Sequence, residues 1–145
     1  MSALEDFDKL EIGAIVLDSD KTILVAVMQS QISAMIGIEH CSVVIPRKSL
    51  KHIVERRGNK ARFIIEHMPI VIKDPVIVSD NSKKRQGSFI FAIPYERWAV
   101  GIIITRTKTP GVCRVVSAFP IELKTYRKLT NISGRAEFPP FELPS

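Results

Sequence analysis

The residues best suited to chemistry in this chain are concentrated between Val43 and Gly58, in VVIPRKSLKHIVERRG. Lys48, His52 and Arg56 are four apart, so a helix would align them in one column. Cations on both sides favour a neutral imidazole, which can take a proton near neutral pH. Such a column suits cleavage of a phosphodiester, and it equally describes a solvated helix face. Most other chemistries lack the residues to carry them. The chain has no GxGxxG or GxxxxGKS/T phosphate loop, no GxSxG elbow, no CxxC and no His/Cys cluster at zinc spacing. Acids in its basic region are scattered singly, without the paired carboxylates that hold two metals. What remains is a set of His, Lys, Arg, Ser, Thr and Tyr side chains that needs no metal or cofactor. Such groups can cleave RNA by driving the 2′-hydroxyl onto its neighbouring phosphate. One takes the hydroxyl proton, another protonates the leaving oxygen, and cations hold the developing charge.

Charge points the same way. The net charge of +6 is unevenly spread. Residues 1 to 45 hold two cations and seven acids, whereas residues 46 to 145 hold 19 cations and eight acids. A basic main body is the footprint of a polyanion partner, nucleic acid first and membrane surface second, or simply of a soluble surface. No apolar run approaches the roughly 20 residues that span a bilayer, and the acidic start MSALEDFDKLE lacks the layout of a secretory signal. A soluble, cytoplasmic protein of one domain is expected. Cys41 and Cys113 sit beside β-branched residues, which suggests small core residues more than a disulfide.

The elements that must position these residues follow from pattern and punctuation. Val43 to Ile45 reads as a buried strand ended by Pro46. Leu50, Ile53 and Val54 then recur at helical spacing, and Gly58 stops the helix. Upstream, Ile12 to Leu17 and Thr22 to Met28 read as an N-terminal β-hairpin across Asp18-Ser19-Asp20-Lys21, followed by a short helix over Gln29 to Ile38. Downstream, Asn59 can cap a helix over Lys60 to His67, with Met68 to Pro75 as a proline-bounded connector. Val76 to Ser79, Ser88 to Ile93, Trp98 to Thr107 and Val112 to Ile121 read as four strands of an antiparallel meander. Glu122 to Leu129 reads as a terminal helix or helical turn, and residues 1 to 10 and 130 to 145 as irregular. The fold class is therefore α+β: an antiparallel sheet of about four strands packed by helices, preceded by the hairpin.

Pairing the last hairpin around Thr109-Pro110 puts Trp98, Val100, Ile102 and Ile104 on one face with Cys113, Val115, Ser117, Phe119 and Ile121. That is a core face. The other face then carries Ala99, Gly101 and Ala118 beside Thr105, Thr107 and Arg114. Its small residues could let a ligand approach the backbone, or it could simply face solvent.

The order VVIPRKSLKHIVERRG, HMPIVIKDPVIVSD and WAVGIIITRTKTPGVCRVVSAFPI resembles the phage-associated branch of the barnase–EndoU–colicin–RelE-like ribonucleases. The resemblance covers about residues 38 to 128 and rests on the order of three short motifs: a strand leading into a "KHI" helix, the connector IVIKDPVIV, and a last strand reading VVSAF. It implies His52 as an acid or base and Ser117 as the hydroxyl of the last strand. Tyr126 or a neighbouring cation would be a phosphate contact, joined by Lys48, Arg56 and Arg114 in holding RNA. The chain departs from the pattern in carrying Arg56-Arg57 where many relatives have a second histidine, and Ser117 for the commoner threonine. The implied function is a metal-independent endoribonuclease, a toxin or effector that leaves a 2′,3′-cyclic phosphate. Transfer RNA is a plausible target, and an acidic inhibitor or immunity protein a plausible partner. The alternative is a non-catalytic RNA-binding or protein-interaction module, such as a phage accessory protein, that uses the same basic face.

Overall fold

A proline at the end of a strand and a glycine at the end of a helix set the central unit of the molecule. The computed structural model describes residues 22–38 and 40–131. Strand β2 (Ser42–Pro46) passes directly into helix α2 (Arg47–Arg57), and Gly58 ends α2 at a φ of 56°. Before this unit stand strand β1 (Thr22–Val27) and the short helix α1 (Ser30–Met35). After it come a 3-10 turn at Gly58–Lys60 and helix α3 (Ala61–Lys73). The strands β3 (Ile77–Asp80), β4 (Ser88–Pro94), β5 (Trp98–Arg106) and β6 (Val112–Glu122) then follow, with a single helical turn, α4 (Leu123–Tyr126), after them.

The fold is α+β, but the sheet is larger and more mixed than the sequence suggested. Among the described residues it has six strands, in the order β1-β2-β6-β5-β4-β3. From β3 to β6 the strands form the expected antiparallel meander. β1 pairs antiparallel with β2, and β2 joins β6 in parallel through Ser42–Val112, Val43–Cys113 and Val44–Arg114. The expected strand at Ile12 to Leu17 lies outside the described residues; the partner of β1 among those described is β2.

Helix α3 lies across the sheet, packed against β5, β1, β4 and β6, and α2 packs against β6, β2 and α3. Their apolar stripes supply Leu50 and Ile53 from α2 and Ile64, Met68, Val71 and Ile72 from α3, all buried against Val43, Ile45, Phe91, Ile102 and Ile104 of the sheet. The sequence ends α3 at His67 and reads Met68 to Pro75 as a connector, yet the helix runs through Pro69 to Lys73. An interior proline costs about 3 kcal/mol. Burying Met68, Val71 and Ile72 contributes roughly 1.5–3 kcal/mol each, which outweighs it. Asn59 lies within the 3-10 turn, and no side-chain cap opens α3. Of the terminal helix or helical turn expected over Glu122 to Leu129, the structure shows the turn, the four residues of α4.

A β-bulge in β6 overturns the expected facing of the last hairpin. Ile104 pairs with Val115 but Ile103 with Ser117, so Val116 is the extra residue. Beyond it every side chain changes side. Cys113, Val115 and Ala118 join the main core, whereas Ser117, Phe119 and Ile121 share the opposite face with Ala99, Gly101 and Ile103. There Ile121, Ala92, Ala99 and Tyr126 form a second, smaller core beneath α4, with Phe119 packed against it. The small residues of this face do not leave room for a ligand. A Cβ at Gly101 would run into Ile121 Cδ1, with Cγ1 at 3.0 Å and Phe119 Cε2 at 3.5 Å.

Candidate nucleic-acid interface

β2 pairs with β6 only as far as Arg114, and among the described residues no other strand pairs with that side of β6 beyond it. The C-terminus of α2 comes to it. Arg57 donates from Nε to the Ala118 carbonyl at 3.0 Å, and its guanidinium carbon lies 5.9 Å from the centre of the Phe119 ring. Partial burial, and then the neighbouring Arg56, lower the Arg57 pKa from its ordinary value. Arg56 itself is exposed and places Nη1 3.4 Å from Nε2 of His52, which is also exposed. Lys48 is exposed one helical turn earlier. The helix thus brings Lys48, His52 and Arg56 together as the spacing predicted, on a face turned to solvent.

Three residues after Arg57, Lys60 lies 5.6 Å over the Trp98 ring at the start of β5. Behind Trp98 is an aromatic group that the sequence reading did not single out. Phe63 stacks on His67 with ring centres 3.9 Å apart, and meets the edges of Tyr95 and Trp98 at 5.2 and 5.1 Å. His67 Nδ1 is 2.7 Å from the Phe63 carbonyl. A carbonyl can only accept, so Nδ1 carries a proton and donates. All four rings are half-buried, and burial raises the Tyr95 pKa, keeping its hydroxyl protonated. The signal available in sequence was Phe63 and His67 four apart on a helix, with Tyr95 and Trp98 bracketing a turn. The structure unites them by packing α3 on β5.

Arg114 and Ser117 occupy consecutive outward positions of β6 on the face away from α2 and α3, Arg114 opposite Thr105 and Ser117 opposite Ile103. Both are half-buried, and no hydrogen bond links either to His52. Tyr126 is only 4% exposed, packed against Ala92, Ala99 and Ile121. Desolvation pushes its pKa up to about 12. It is a core residue of the second cluster and not a phosphate contact on the surface, because its apolar ring is what α4 lays on the sheet.

At the other end of β5, the α1–β2 connection and the β5–β6 turn enclose an open cavity of about 730 Å³, lined by His40, Ser42, Arg106, Thr107 and Val112 among others. The Arg106 guanidinium is fastened there by a hydrogen bond from Nη2 to the Ile36 carbonyl. Among the described residues, no group of three or more His, Cys, Asp or Glu side chains could hold a metal ion. No helix among them is long and apolar enough to cross a membrane. Comparison of the chain with protein-family models, curated proteins and solved structures gave no match.

Proposed function

We propose that this protein binds RNA, and that single-stranded RNA lies along the corner where α2, the 3-10 turn and α3 meet the start of β5 and the far half of β6. The observation that carries this reading is the pairing of cations with rings at that corner, Arg57 on Phe119 and Lys60 on Trp98. Single-stranded nucleic acid is held by positive charge that follows its phosphates and by aromatic side chains on which its bases stack. The exposed column of Lys48 and Arg56 extends the charge along α2.

Catalysis is the second reading: metal-independent cleavage by 2′-hydroxyl attack, as the ribonuclease resemblance implies, in a toxin or effector held in check by an acidic inhibitor. The observation favouring it is an exposed imidazole, His52, beside the Arg56 guanidinium. Ser117 on the opposite face of the sheet weighs against a shared His52–Ser117 centre, so a catalytic site would rest on His52 and its flanking cations.

Binding of the full chain to a labelled, mixed-sequence single-stranded RNA tests the first reading. Affinity should fall steeply with salt, and Lys60→Ala should reduce the log–log salt slope by about one. A flat salt response, or no binding even at low salt, would sink the proposal. For the second reading, RNA incubated with the protein in excess EDTA should yield ends bearing a 2′,3′-cyclic phosphate. His52→Ala should slow that cleavage by about 10²-fold or more. Tight binding without cleavage leaves the binding module standing alone.

A further inference from the structure

We propose that Cys41 and Cys113 form an oxidisable dithiol, a covalent modification site at which hydrogen peroxide converts two thiols into a disulfide joining β2's leading edge to β6. Both are free, both are fully buried, and their Sγ atoms lie 2.9 Å apart. That is about 0.9 Å longer than a disulfide bond, so bond formation needs little movement of either side chain. Cys113 is the register partner of Val43, and Cys41 stands two residues earlier on the same inward-facing side. The two sulfurs therefore come from neighbouring parallel segments that are 72 residues apart in sequence.

The cavity at this end of the sheet brings solvent up to the residues that flank the pair. It is lined by His40 and Ser42, on either side of Cys41, and by Val112, which precedes Cys113. Arg106, the register partner of Cys113 on β5, lines it as well. The hydrogen bond shared by the sulfurs divides their roles: it lowers the Cys41 pKa, while it and burial raise that of Cys113. The Cys41 thiolate is the better nucleophile of the pair. Its attack on the peroxide forms an S–O bond and breaks the O–O bond, giving a sulfenic acid and a hydroxide that takes up the displaced proton as water. The Cys113 sulfur then attacks Cys41 Sγ, forming the S–S bond and expelling the sulfenic oxygen, which leaves with the Cys113 proton as a second water. Two thiols and one peroxide become one disulfide and two waters. The chemistry is independent of whether the protein binds or cleaves RNA.

The test uses the reduced, folded full-length chain treated with hydrogen peroxide, quenched, unfolded and alkylated, with intact mass as the readout. The expected product is monomeric, lighter by two hydrogens, closed to alkylation and returned to its original mass by dithiothreitol. Cys113→Ser should stop at a sulfenic acid on Cys41 that dimedone captures. Two alkylatable thiols in the wild-type protein after treatment would overturn the proposal, and so would a product cross-linked only between chains. The wild-type readout decides the matter whether or not the variant folds.

Discussion

At Gly101 the absent side chain is what lets Ile121 lie flat on β5 and close the second core. Gly101→Ala should therefore destabilise the protein by about 1–3 kcal/mol, the range for overpacking a filled site. Equilibrium denaturation would show it as a lower midpoint with an unchanged slope. Tyr126 answers to pH. Its folded pKa of about 12 lies above its ordinary value of 10.0, so folding favours the protonated phenol. Its contribution is fully present below pH 10 and is lost as pH rises toward 12, because the unfolded chain releases the proton first. Tyr126→Phe should flatten the alkaline limb of a stability–pH profile; part of the slope should persist, since Tyr95 is shifted in the same direction. The ribonuclease resemblance offered Tyr126, or a neighbouring cation, as a phosphate contact. Only the fold reveals that α4 turns it onto Ala92 and Ala99.

Helices and strands were legible where local signals agree with one another. Pro46 and Gly58 bracket α2 as read, and β4, β5 and β6 fall within a residue or so of their expected bounds, because β-branched runs and the Thr109-Pro110-Gly111 turn all point to the same hairpin. Legibility failed where a distant contact decides. Pro69 looked like a stop, but α3 continues because its Met68–Val71–Ile72 stripe has the sheet to cover. Met68→Ala should therefore cost about 2–5 kcal/mol, far more than truncation of a connector residue, and thermal or chemical unfolding would measure it. The bulge at Val116 was equally hidden. One extra residue in an alternating pattern looks like continued alternation, yet it moves Ser117 from the predicted core face to the other side. The candidate site shared this fate. The Lys48–His52–Arg56 column is a property of one helix and could be read, whereas the corner of Arg57, Lys60, Phe119 and Trp98 exists only once α2 and α3 dock on β5 and β6.

For the molecule as a whole, the sheet order sets how its parts depend on each other. β6 lies between β2 and β5 although every other strand precedes it in sequence. A chain cut before Val112 would hold two incomplete sheets, β1–β2 and β3–β4–β5, each lacking the β6 neighbour of one strand. Such a fragment should show no cooperative unfolding transition and should bind a hydrophobic dye strongly, whereas the chain that retains β6 should melt in one transition. The same arrangement bears on how the protein is made. A ribosome delivers β1 and β2 early, and β2 cannot find its parallel partner until roughly seventy further residues have been synthesised. Until β6 emerges, two open strand edges coexist on a nascent chain, the condition under which strands pair with the wrong neighbour or with another polypeptide. The hazard for this fold thus falls during translation, and slow elongation or stalling between β5 and β6 should lower its soluble yield more than stalling anywhere after Glu122.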